Sequence, residues 1–174
     1  MSIAAIVFLF GSFVAAGNPA AWRTFTSEEG GFSILLPGSF TLTHPAEATP
    51  IGRIGENLYT LDTKEADFSV EYSDLPSIAV DFESREGLYF KAKERMIQVL
   101  GGHEISFQPV EISGYPGKEL SYEAPGSEKK KPVEGRARFL LVDKRIYVIS
   151  VSGPADKSAL IIRYLCSFRL LNKK

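Results

Sequence analysis

The stretch "RFLLVDKRIYVISVS", residues 138–152, limits the fold more than any other part of the chain. Two strand-like runs, Arg136–Val142 and Arg145–Ser152, are separated only by Asp143 and Lys144, the spacing of a compact hairpin. The second run is apolar at successive positions, so both faces of its strand require cover. Such a strand belongs at the centre of a sheet, and the rest of the chain must supply flanking strands and covering layers.

Period-two alternation supplies the strands. Phe32, Ile34 and Leu36 alternate with Ser33, Leu35 and Pro37, and Trp22–Thr26 forms a short strand before them. The double glycine Gly30-Gly31 lies between these runs. A phosphate-cradling loop would need a helix after it. A strand follows here, so the glycines and the adjoining Glu28 and Glu29 are read as a turn. Leu58–Thr63 and Phe68–Tyr72 form a second hairpin around Lys64–Asp67, with Phe68, Val70 and Tyr72 on one face. His103–Ile112 and Lys118–Glu123 add two more strands. Residues 44–57 carry glycine and proline punctuation without a period and are read as a loop.

Asp81–Leu100 is the clearest helix. Leu88, Ala92, Met96 and Val99 form its apolar stripe, with Tyr89 and Leu100 at the edge. Lys91, Lys93, Glu94 and Arg95 fall mostly away from that stripe. Asp81 or Ser84 can cap its start and Gly101-Gly102 its end. Pro154 opens a last helix from Ala155 to about Leu165, and "SFRLL" closes the chain as a short strand. The expected class is α+β, an antiparallel sheet with helices packed on its faces.

With 174 residues and 44% apolar composition, the chain is long enough for one core and short for two. The expected organisation is an export signal over residues 1–21 and a single domain over residues 22–174. Ile3–Ala16 is an uncharged apolar segment too short to span a bilayer, for which about 20 residues are needed. Val14-Ala15-Ala16 and Pro19-Ala20-Ala21 offer small-residue cleavage sites, so export to the periplasm or beyond the cell is expected. A buried terminal helix or a retained anchor is the alternative, and membrane contact would then be limited to that uncleaved segment.

The candidate chemistry is thin. Twenty basic against 21 acidic residues leave a net charge of −1, which supplies no reason to expect nucleic acid as a partner. Cys166 is the only cysteine, so an intrachain disulfide is excluded, and no metal-ligand spacing links it to His44 or His103. No GxSxG elbow exists, and Ser39 and Ser127 sit in Pro-Gly turns. The acid pairs Glu28/Glu29, Glu65/Asp67 and Asp81/Glu83 lie at turns or a helix start, where solvation explains them. Lys129-Lys130-Lys131 is flanked by Glu128 and Glu134 and reads as a solvated loop, with a docking contact for an acidic partner as the alternative. Cys166 lies in an apolar run and is expected as a small core residue. His103 is expected to serve the helix end. No catalytic residue, cofactor site or metal site is therefore assigned, and no enzyme is expected.

Taken in order, "GGFSILLPGSF", "LPSIAVDFES", "QVLGG", "GYPGKELSYE", "RFLLVDKRIYVISVSG" and "YLCSFRLL" resemble the PsbP-like superfamily over Trp22 to Leu171. That superfamily includes an extrinsic photosystem II subunit, a Ran-binding nuclear import factor and exported bacterial proteins. The resemblance implies an α/β/α sandwich around a central antiparallel sheet, and a non-catalytic accessory or binding role. It carries over no functional residue. With the domain beginning at Trp22 and no twin-arginine signal, a photosynthetic role is not expected.

Two roles follow as expectations. The first is an extracytoplasmic domain acting by contact with an unidentified protein. The alternative is a carrier or sensor of a small apolar ligand held between a helix and the sheet, with Tyr59, Tyr72 and Tyr122 as wall residues. A hydrolase with an irregular site ranks below both.

Overall fold

A computed structural model describes residues 21–49, 52–125, 132–154 and 157–171. The segment expected to direct export, apart from Ala21, and Lys129–Lys131 lie outside the described residues.

The first strands, β1 (Arg23–Ser27) and β2 (Phe32–Leu36), pair antiparallel across the double-glycine turn. Gly31 takes φ 67°, which glycine adopts without a Cβ penalty. Tyr147 donates its hydroxyl hydrogen to the Gly30 carbonyl at 2.8 Å, and the Arg145 Nη1 donates to that of Glu29 at 2.8 Å. The glycines form a clamped turn, as their sequence setting implies.

Next come β3 (Thr41–Thr43), β4 (Ala46–Thr49), β5 (Gly52–Gly55), β6 (Asn57–Asp62) and β7 (Asp67–Asp74). The expected loop over 44–57 is thus corrected, because β4 and β5 pair as a separate antiparallel hairpin. Two helices follow, α1 (Ser77–Phe82) and α2 (Arg85–Leu100). The helix expected from Asp81 begins at Arg85 because Glu83 is extended, and Ser84 caps it by accepting from the Gly87 amide at 3.0 Å. Gly101, left-handed at φ 60°, ends it.

The chain continues through β8 (His103–Ile112), β9 (Tyr115–Ala124), β10 (Val133–Val142), β11 (Arg145–Gly153), α3 (Ser158–Leu165) and β12 (Arg169–Leu170). Seven strands form one antiparallel sheet in the order β3-β6-β7-β11-β10-β9-β8, with the "RIYVISVS" strand fourth of seven. A small sheet, β1-β2-β12, lies apart. The architecture is α+β, a mostly antiparallel sheet flanked by helices.

One face of the large sheet is sealed. Phe68, Val70, Tyr72, Tyr147, Ile149 and Val151 project there and pack against β2, α3 and Phe168. Phe32 stacks on Phe168 at 5.6 Å and meets Tyr59 edge-on at 5.6 Å. The opposite face is covered only toward β9 and β10, where Leu88 and Tyr89 of α2 pack on Leu120, Ala137, Phe139 and Leu141. The second face of β11 therefore has partial cover, not the full cover its sequence implies.

Candidate functional site

The uncovered half of that second face is a groove. Its cause is visible in the cross-strand register. Thr60, Ser69, Ser150 and Ala137 are successive partners across β6, β7, β11 and β10. These side chains are small where the sealed face carries aromatics, so the floor lies low along this row, flanked by Leu58, Ile146 and Val148, which also line the groove. The Ser69 and Ser150 hydroxyls satisfy one another at 2.7 Å. Over this floor stands a wall made by α1 and by the Leu88, Ala92, Met96 and Val99 stripe of α2. Together they enclose about 1150 Å³. That is slightly above the range of about 300–1,000 Å³ typical of ligand sites.

The helical wall is left open to solvent in a way that burial would not allow. Phe82 is 86% exposed and Val99 77%. No residue of α1 is buried. Its hold on the body comes from its start: the Leu75 amide donates to the Lys144 carbonyl at 2.8 Å and the Lys144 Nζ to the Ser77 hydroxyl at 2.6 Å.

Charge rims the groove. Glu56, 6% exposed, accepts from Arg95 at 2.5 Å, and Arg95 also approaches Glu71 at 3.5 Å. At the helix start, Glu83 pairs with Lys91, and that ion pair holds the Glu83 carboxyl below its ordinary range. At the far end, Tyr122 crosses β10 where Gly135 leaves room. A Cβ at Gly135 would lie 2.2 Å from the tyrosine ring. Burial pushes the Tyr122 phenol up to about 12, against the opposing effect of its hydrogen bond to Ser152.

Of the three expected wall tyrosines, Tyr122 alone lines the groove. Tyr59 and Tyr72 are corrected to the sealed face, where they stack at 6.3 Å. Alternation placed them on a common face without saying which face a layer would cover. Lys93 is a second correction. It is 5% exposed, bonded to Glu104 at 2.5 Å and Glu94 at 2.8 Å, with its ammonium 4.5 Å from the Phe90 ring centroid. Burial opposes its charge, and the two carboxylates more than offset that, raising its pKa.

The groups that could carry chemistry are dispersed. His44 follows β3 and hydrogen-bonds Asn57 at 2.9 Å, whereas His103 opens β8 with Glu123 at 3.9 Å. Those strands are opposite edges of a seven-stranded sheet, roughly 29 Å apart at about 4.8 Å per strand. Cys166 is exposed at the end of α3, with its sulfur 3.8 Å from Arg138 Nη2, and not in the core as expected. Among the described residues no group of three or more His, Cys, Asp or Glu is arranged to hold a metal. No described helix is long and apolar enough to cross a membrane.

Sequence reasoning missed α1, Glu56 and the serine floor. The signals were present: Ile78 and Phe82 stand four apart after Pro76, and the alternate positions of "FSVEYSD" and "YVISVS" include Ser69, Ser73, Ser150 and Ser152 on one face.

No family model and no curated protein matches the chain in sequence. Among solved structures, it is similar to cyanobacterial PsbP from Synechocystis, at 16% identity over 92% of this chain and 98% of that one, with a TM-score of 0.59. A protein of unknown function from Pseudomonas aeruginosa aligns at 11% identity over 80% of this chain and 87% of that one, with a TM-score of 0.43. The near-complete alignment to cyanobacterial PsbP, over an antiparallel sheet flanked by helices, shows that the chain has a PsbP-like fold.

Proposed function

We propose that this chain is a non-catalytic accessory domain that works by holding a guest in the groove between its helices and its sheet. The groove carries the reading. Apolar side chains left exposed beside about 1150 Å³ of open space, Phe82 and Val99 above all, mark a surface that a partner or ligand covers in use. The separation of His44, His103 and Cys166 supports a binding role, because general acid–base or nucleophilic work needs such groups within hydrogen-bond reach.

The test is uptake of a neutral apolar dye, N-phenyl-1-naphthylamine, by the purified protein. Fluorescence should rise and saturate, and Ser150→Phe, which fills the floor, should weaken uptake by about tenfold or more without lowering Tm. Absence of dye binding by the folded protein would contradict the groove reading. Export belongs to the same proposal and rests on Ile3–Ala16. Amino-terminal sequencing from the host should find a start at Gly17 or Trp22, and an intact Met1 on cytoplasmic protein would contradict it.

A further inference from the structure

Resting on that groove reading, we infer that α1 is a hinged flap that closes over the groove when a guest enters. The six residues Ser77–Phe82 include no buried side chain, so packing does not hold this helix. It is held at its two ends. At the start, the Lys144 carbonyl accepts from the Leu75 amide and the Lys144 Nζ donates to the Ser77 hydroxyl. At the finish, the Glu83 carboxylate pairs with Lys91 and folds over Gly87, which has no Cβ to obstruct it. About 9 Å of helix runs between these anchors.

The flanking backbone lets that helix swing. Pro76 has ψ 145°, and Glu83 has φ −117° and ψ 142°, so an extended residue stands at each end of α1. Torsions at the ends of elements are where hinges absorb rotation. The proline ring fixes φ at Pro76 and leaves its ψ to turn. The helix therefore rotates as a unit about the line joining its anchors. Helix α2 has no such freedom, because Leu88 and Tyr89 pack on the sheet.

Side-chain chemistry sets the direction of the swing. Ile78, Ala79 and Phe82 share one side of α1 and all three line the groove. Ile78 is 51% exposed and Phe82 86%. Rotation toward the sheet would take both from water. In the empty protein that movement gains little, because about 1150 Å³ of open space gives these side chains few atoms to meet. A guest supplies the missing atoms. A guest that touches Ile78 and Phe82 binds the closed arrangement better and shifts α1 toward it. The same guest leaves only after α1 opens, so the flap sets the release rate.

Amide hydrogen exchange of the purified chain, read by NMR with and without saturating N-phenyl-1-naphthylamine, tests the flap. Without dye, the Ala79, Asp81 and Phe82 amides should exchange about 100-fold or more faster than those of Tyr89 and Ala92 in α2. With dye they should slow by about tenfold or more. Phe82→Ala, at an exposed position, should release dye several-fold faster in stopped flow with Tm unchanged. Equal protection of α1 and α2 in the free protein would overturn the flap, since α1 would already be fixed. Saturable dye uptake that leaves α1 exchange unchanged, or an unchanged release rate from Phe82→Ala, would overturn it too and leave the groove reading intact. Absence of dye uptake would take down the groove reading and the flap with it.

Discussion

The two faces of the seven-stranded sheet are built from the same strands and end up in opposite conditions. Among the described residues, seventeen buried apolar side chains, most of them from β2, the sheet and α3, form one cluster on the sealed face; on the other, eight form a cluster beneath α2. Strand alternation sends Phe68, Val70 and Tyr72 one way and Ser69, Glu71 and Ser73 the other. The sealed face carries the larger core, and the second face keeps a row of small side chains and a helical edge where Phe82 and Val99 stay exposed. The proposed function is accordingly placed where the packing is incomplete.

Mutations sharpen that contrast in order of size. Phe32→Ala removes a ring that touches five other aromatics of the sealed face. It should cost about 3–5 kcal/mol in denaturant unfolding. A cost under about 1 kcal/mol would show that this face is not the principal core.

Gly135→Ala comes next. Its Cβ would lie 2.2 Å from the Tyr122 ring, so the tyrosine must turn into the groove, at about 1–3 kcal/mol. Pairing it with Tyr122→Ala should recover much of that cost in a double-mutant cycle, and strict additivity would refute the clash.

Alkaline unfolding compares a tyrosine from each face. Burial raises the Tyr164 phenol on the sealed face well above its ordinary value, and that of Tyr122 beside the groove to about 12. The unfolded chain ionises near pH 10, so it loses protons before the folded state does. Stability from these phenols is complete below about pH 10 and falls as the pH rises toward 12. Tyr122→Phe should make that fall shallower, and an unchanged slope would deny Tyr122 its buried place.

Val99→Asp is the smallest effect. At 77% exposure it should alter stability by no more than about 0.5 kcal/mol while weakening dye uptake. Cys166→Ala, at an exposed helix end, belongs in the same small range.

These outcomes follow the line between what was legible in the sequence and what was not. Strands with strict alternation, such as Phe32–Leu36 and Phe68–Tyr72, and the glycine stop of α2 were readable because local chemistry determines them. The β4–β5 hairpin was missed because glycine and proline punctuate it without a period. Helix α1 was missed because six residues with no buried face leave little pattern. The groove was hidden for a different reason. Periodicity shows that Leu88, Ala92, Met96 and Val99 share a stripe, but only tertiary packing shows that the stripe packs on the sheet as far as Met96 and leaves Val99 exposed. Cys166 was misplaced likewise, since its apolar neighbours Tyr164, Leu165 and Phe168 are buried while the chain turns it outward.

Methionine provides the most direct test of the open face. The chain has two methionines, Met1 and Met96, and Met96 lies on the groove wall. Protein labelled with ¹³C at the methionine methyl groups therefore reports the groove through one resonance, and isoleucine labelling reports Ile149 and Ile161 on the sealed face. On titration with N-phenyl-1-naphthylamine, the Met96 methyl signal should shift in step with dye fluorescence, while the Ile149 and Ile161 methyls stay in place. Dye binding that moves Ile149 and Ile161 and leaves Met96 unchanged would contradict the assignment of function to the open face.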